Sequence, residues 1–298
     1  MKLLIAGGTG FLGTKVIRYL SSLGHRVTVL TRTAGRYTPS EAVSYAAWDG
    51  TKAEPVMKEL PGVSAVINLA GASIAGGRWT PERKKLLWSS RIESTSAIVR
   101  AMESAVSPPV LINASAVGFY GNRADEQLSE SSAAGSGFLA GLVQAWEAEA
   151  LRYTSNRAAM LRFGIVLGEG GALKQMALPF KLFAGGPVGS GTQWLPWIHV
   201  DDVSRVVRYA IDSEQYRGPI NVVSPEAVTN REFSRQLGRV LHRPSWIPVP
   251  EGALRIVLGE MADMLLGSQR VVPEKLVRYS FQFKYSSLTD ALRASLLP

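Results

Sequence analysis

Lys2-Leu3-Leu4-Ile5-Ala6-Gly7-Gly8-Thr9-Gly10-Phe11-Leu12-Gly13 is the stretch that decides the fold. Leu3 to Ala6 is an uninterrupted apolar run, the pattern of a strand buried on both faces. Gly7, Gly10 and Gly13 follow with the spacing G-x-x-G-x-x-G, and Phe11 to Ser22 carries helical spacing with Val16, Ile17 and Leu20 on one side. In that order, strand, turn and helix make a phosphate cradle. Gly7 permits the sharp turn out of the strand, Gly10 lets backbone approach a pyrophosphate, and Gly13 lets helix pack on sheet. The free N–H groups and dipole of the helix N-terminus then favour an anion. The reading is a dinucleotide turn, with Gly7, Gly10, Phe11, Leu12 and Gly13 as candidate cofactor contacts.

Working outward, the same rhythm repeats. Gly24 closes the first helix. Arg26 to Leu30, Val43 to Ala47, Ala65 to Leu69, Val110 to Ile112 and Ala159 to Phe163 read as strands. Between them lie a long helix from about Pro81, with Thr80 as N-cap, and a helix from Leu139. Alternating strands and helices predict an α/β fold, a Rossmann-type doubly wound parallel sheet. After Gly168 the rhythm changes to a glycine-punctuated, more helical stretch. The expected division is a nucleotide-binding domain over 1–165 with a returning segment at about 195–225. A smaller, mostly helical substrate lobe would take 166–194 and 226–298.

Composition narrows the class. The chain has 298 residues, 46% hydrophobic and 19% charged, the usage of a globular protein. With no cysteine and only His25, His199 and His242, thiolate chemistry, disulfides and a histidine-rich metal site are excluded. No apolar run reaches membrane-spanning length and the first apolar run is too short for a signal-peptide core, so a cytoplasmic protein is expected. Net charge is +9, spread along the chain except for Arg231, Arg235, Arg239 and Arg243, a basic stripe at helical spacing. Without a zinc-finger pattern, aromatic RNP-like run or basic tail, nucleic acid is not expected. A monomer or homodimer acting on a small molecule is.

The end of the second strand bears on which dinucleotide. An NAD site usually places a carboxylate there for the ribose 2′-hydroxyl. This chain has Thr31-Arg32, with Arg36 nearby. A guanidinium pairs bidentately with a 2′-phosphate and stacks on adenine, so NADP is expected.

The motifs together resemble the extended short-chain dehydrogenase/reductase superfamily. Trp79-Thr80, Ser90-Arg91-Ile92, Ser94-Thr95, Ser115-Ala116-Val117-Gly118-Phe119-Tyr120-Gly121 and Trp146-Glu147 are similar to one atypical branch. So are Leu258-Gly259-Glu260-Met261-Ala262-Asp263 and Gly267-Ser268-Gln269-Arg270-Val271. That branch is the sugar-nucleotide-epimerase-like group of epimerase family proteins with a C-terminal domain of unknown function. The resemblance implies that Leu69, Ala70 and Gly71 form a cofactor-contacting turn, and that Asp49 reaches the adenine amino group. It also implies that Phe163, Gly164 and Ile165 lie beside the nicotinamide carboxamide, and that Ser115 is the catalytic serine.

One departure from the superfamily pattern matters most. Aligning Glu147 with the glutamate that follows the superfamily's Tyr-x-x-x-Lys puts Leu139 at the Tyr position and Val143 at the Lys position. Neither ionises, so the usual proton relay is absent. Tyr120 is the nearest phenol that remains as a proton donor, with Ser115 orienting the substrate oxygen. Two functions stay open: an oxidoreductase or epimerase with an unusual donor, and a non-catalytic NADP(H) sensor or interaction module.

Overall fold

Seven strands make one all-parallel sheet: β1 (Lys2–Ala6), β2 (Arg26–Thr31), β3 (Val43–Ala47), β4 (Val63–Asn68), β5 (Val110–Ala116), β6 (Ala158–Phe163) and β7 (Gly218–Val222). The computed structural model describes residues 1–297. The strand order is β7-β6-β5-β4-β1-β2-β3. The chain therefore winds outward from β1 through β2 to β3, then returns to the other side of β1 and winds outward through β4 to β7. The switch point lies between β1 and β4, whose registers pair Ile5 with Ile67 and Ala6 with Asn68.

The helices are, in order, α1 (Phe11–Ser22), α2 (Glu54–Glu59), α3 (Pro81–Glu103), α4 (Phe138–Ala150), α5 (Gly171–Lys181) and α6 (Val200–Asp212). They continue with α7 (Asn230–Leu241), α8 (Glu251–Leu258), α9 (Ala262–Leu266), α10 (Glu274–Arg278) and α11 (Leu288–Leu296). Both sheet faces are covered, which is why Leu3 to Ala6 is apolar without alternation. On one face Val16 and Leu20 of α1 and Val203, Val206 and Val207 of α6 pack on Leu3, Ile5 and Ile67. On the other, Val56 of α2 and Ala97, Ile98 and Met102 of α3 pack on Leu4, Val66 and Leu111.

Local signals hold where they concern backbone. The Thr80 side chain accepts from Arg83 N at 3.2 Å and Pro81 sits in the first turn of α3. Gly24 adopts φ +80° just past α1. A separate core joins α5, α7 and α11 through Leu173, Phe180, Phe233, Leu237 and Leu292. α8 and α9 close over α3 and α4, with Met261 and Leu258 against Trp79, Leu87 and Leu142. The chain then returns to the sheet: Leu276 and Phe281 join the core beside Tyr216 and Ile220. The arginines of the basic stripe are exposed along α7 and just beyond it. Among the described residues no helix is long and apolar enough to cross a membrane.

Candidate dinucleotide crevice

In an open α/β sheet a ligand sits beyond the carboxyl ends of the strands at the switch point. Here backbone crowds that place at Gly7 and Gly13. A Cβ on Gly7, which has φ +74°, would lie 2.5 Å from the Leu69 carbonyl group. A Cβ on Gly13 would lie 2.6 Å from the Gly8 Cα, so the helix can reach the turn only as glycine. Gly10 differs: its Cβ would meet only the Gly7 carbonyl oxygen, at 3.5 Å, and the residue is exposed. The first two glycines are bound by the fold, and the third keeps open the face that a pyrophosphate needs. Gly10 is the N-cap of α1, with no side-chain cap and no acidic residue in the first turn, so its N–H groups are left for an anion. The Phe11 ring is clasped by backbone: a Cβ on Gly168, Gly170 or Gly171 would come within 2.9 Å of it. Leu12 packs partly buried on the sheet core.

The opposite wall is the turn after β4. Leu69 N donates to Ala6 O at 2.9 Å, and Ala70 N to Asn68 Oδ1 at 3.1 Å. Asn68 is buried and also donates to Thr95 Oγ1 and Asn113 Oδ1, so a closed polar network holds this turn from below. Gly71 is exposed above the guanidinium of Arg91.

At the far end, Thr31 is buried at the end of β2 and the next residue, Arg32, is exposed. Arg32 and Arg36 make no ion pair among the described residues, so both guanidiniums are free for a phosphate. Asp49 is exposed beyond β3. Its Oδ1 accepts from Thr51 N at 2.8 Å and Lys52 N at 3.1 Å, and these bonds, Thr51's first, hold its pKa below the ordinary value. Asp49 is an ionised turn-former whose second oxygen faces Lys52 Nζ at 3.9 Å. Phe163 ends β6, Gly164 and Ile165 follow it, and all three are half-buried. Gly164 is required there, since a Cβ would come within 2.7 Å of the Pro196 carbonyl oxygen.

The two residues expected to do chemistry are both buried. Tyr120 is 0% exposed. Its hydroxyl reaches Asn221 Oδ1 at 2.7 Å and Ser129 O at 2.9 Å, and accepts from Arg162 at 2.9 Å. Burial, opposed by Arg162, pushes its pKa above the ordinary value. Tyr120 is therefore a core residue and not a cleft acid, which corrects the sequence expectation. The reason is steric and electrostatic: the turn Val117–Tyr120 rolls the ring into an apolar cluster with Leu128, Val223 and Val271, where only buried partners satisfy the hydroxyl.

Ser115 is 3% exposed and spends its only proton on Glu147 Oε1, at 2.5 Å. It has none to donate to a substrate oxygen. Glu147 is held by Arg162 through two bonds, Nε to Oε1 at 2.8 Å and Nη2 to Oε2 at 2.7 Å. The Arg162 guanidinium also lies 3.5 Å from the centre of the Phe119 ring. Ser115, Glu147, Arg162, Tyr120 and Asn221 thus form one buried chain of polar contacts joining β5, α4, β6 and β7. Leu139 and Val143 flank Gly118, as their positions on α4 require, and bring no ionisable group to it. The sequence reading gave Arg162 no part in this. Its signal is a charged residue inside an otherwise apolar strand, opposite a Glu one helix earlier.

Residues 3–223 match the model of the NAD dependent epimerase/dehydratase family, and 249–295 match a domain of unknown function, DUF1731. The chain belongs to the NAD dependent epimerase/dehydratase family. Among curated relatives, Epimerase family protein YfhF of Bacillus subtilis (strain 168) is 42% identical over 296 residues, 98% of this chain and 97% of the relative. Epimerase family protein SDR39U1 of Mus musculus is 38% identical over 98% of this chain and 99% of its own. Among solved structures, human epimerase family protein SDR39U1 (isoform2), crystallised with NADPH, superposes with a TM-score of 0.88 at 34% identity, covering 98% of each chain. The short-chain dehydrogenase/reductase fold and the epimerase-family membership read from the motifs are therefore those of the protein, including its C-terminal domain.

Proposed function

We propose that the chain binds NADP(H) in this crevice and acts as an oxidoreductase or epimerase on a small organic molecule held under the C-terminal lobe. The observation that carries the reading is Arg32. An unpaired, exposed guanidinium stands where an NAD site carries a carboxylate, one residue past a buried strand end. The NADPH in the human relative's structure supports the same cofactor. The open face at Gly10 and the uncapped start of α1 would receive the pyrophosphate, Arg32 and Arg36 the 2′-phosphate, and Asp49 the adenine edge. Leu69, Ala70, Phe163, Gly164 and Ile165 would border the nicotinamide half.

The nicotinamide supplies hydride chemistry when bound. The protein's part is to orient it and to exclude water. With Leu139 and Val143 on α4, and Ser115 and Tyr120 tied into the buried network, none of these four offers the crevice a free proton donor, and water or the substrate itself would supply the proton. The competing reading is an NADP(H)-binding sensor without turnover. Transfer of label from NADPH deuterated at C4 into a copurifying small molecule, followed by mass spectrometry, separates the two.

Calorimetric titration tests the cofactor reading. NADPH should bind more tightly than NADH, and Arg32→Ala should narrow the preference by about ten- to a hundred-fold, the loss of one charge-assisted pair. Equal affinities in the unmutated protein would refute it.

A further inference from the structure

Arg91 lies on the buried stripe of α3, four residues after Leu87 and seven before Ile98, and is 8% exposed. Of the five N–H groups of its guanidinium, one on Nη1 donates to Leu87 O and one on Nη2 to Ala72 O, both at 3.1 Å. The other three have no protein partner among the described residues. The charge lies 5.1 Å from the Trp146 ring centre and has no carboxylate within ion-pair distance among the described residues. Buried charges are ordinarily paired, because leaving water costs several kcal/mol per ion. Here the charge that acts on it, that of Arg83, has the same sign. Burial first, and then Arg83, lower the pKa of Arg91 to about 10. Arg83 is itself incomplete: its Nη2 donates to Ser73 O, while its Nε is buried without a partner.

The cover over Arg91 is a glycine. A Cβ on Gly71 would stand 3.1 Å from Arg91 Cζ and 3.3 Å from Nη2. Gly71 is exposed, and it lies two residues after Leu69, whose carbonyl group touches Gly7 at the switch point. The absent side chain leaves the space between Gly71 and the guanidinium unfilled.

We propose that Arg91, beneath Gly71, is the receptor for an oxyanion of the crevice ligand. Two sources share this chemistry: the pyrophosphate of the dinucleotide, crossing from α1, and a phosphate or carboxylate of the substrate. An anion there supplies the missing counter-charge and fills the unused N–H groups. The first source rests on the NADP(H) reading and the second does not.

The test compares the unmutated protein with Arg91→Met, which keeps an apolar stem, and Gly71→Ala, which keeps the charge but covers it. Gly71 does not have positive φ, so alanine suits its backbone. Unchanged circular dichroism and melting temperature verify folding. Each protein is titrated with NADPH, and then with inorganic phosphate before and after saturation with NADPH. If the anion is the pyrophosphate, both variants lose about ten- to a hundred-fold in NADPH affinity. If it belongs to the substrate, NADPH affinity holds in Arg91→Met and phosphate binding to the NADPH-saturated protein disappears in both variants. Unchanged affinity for NADPH and for phosphate in both variants overturns the proposal. Failure of the unmutated protein to bind NADPH would instead refute the cofactor reading. Phosphate binding to the free protein, and its loss in the variants, would then decide Arg91 alone.

Discussion

Replacing Glu147 with Gln tests whether the chain of contacts around Ser115 is a structural brace. The carboxylate takes three hydrogen bonds, from Ser115 Oγ at 2.5 Å and from Arg162 Nε and Nη2 at 2.8 and 2.7 Å. Both side chains of the pair are almost fully buried, at 3% and 7% exposed. An amide has one oxygen for these donors, and its own N–H group must then face an N–H of Arg162 or the hydroxyl of Ser115. It also leaves the Arg162 charge without a counter-ion. Removing one partner of a buried pair costs about 3–5 kcal/mol. Against a typical total stability of roughly 5–15 kcal/mol, that is a large share. Arg162→Met alone leaves the carboxylate uncompensated and deprives Tyr120 of its donor, at a comparable cost. Combined, the two substitutions remove both charges, so the double variant should be more stable than the sum of single losses requires by about 2 kcal/mol. Urea unfolding of the four proteins without cofactor, followed by circular dichroism, measures this. NADPH affinity should stay within about twofold in Glu147→Gln. A loss below ~1 kcal/mol in the single variant, or strict additivity in the double, would refute the brace.

Tyr120→Phe should cost about 1–3 kcal/mol through the orphaned Asn221 and Arg162 groups, while leaving NADPH affinity and any label transfer unchanged; a fall in turnover of a hundredfold or more would restore it as a proton donor. Gly10→Val should abolish NADPH binding while preserving the circular dichroism spectrum, because its Cβ meets only the Gly7 carbonyl oxygen; retained binding would place the nucleotide elsewhere. Burial lowers the pKa of His199 from its ordinary 6.5, and burial, with Arg208 next, lowers that of His25. The folded state then binds fewer protons than the unfolded one. Their contribution to stability is full above pH 6.5 and is lost as pH falls through the folded values. Urea midpoints should therefore drop on acidification below pH 6.5, and less so in a His199→Asn variant with the same starting fold.

What the residues alone determined is what depends on local backbone or on residue type. The turn at Gly7, Gly10 and Gly13 was legible because each glycine answers a demand made within a few residues: a positive φ, an open face, a close approach of helix to strand. The parallel sheet followed from repeated apolar runs separated by helices, and the loss of the tyrosine–lysine relay from what stands at Leu139 and Val143. Tertiary structure decided where side chains point. Ser115 meets Glu147 thirty-two residues on, and Tyr120 meets Asn221 a hundred and one residues on. No local pattern encodes such partners, since a side chain at a strand end turns towards whichever distant group can satisfy it once water is excluded. Arg91 is of the same kind. The sequence marked it only as part of the Ser90-Arg91-Ile92 motif; the packed fold buries it on α3 beneath Gly71, with a charge that no acidic residue among the described residues meets.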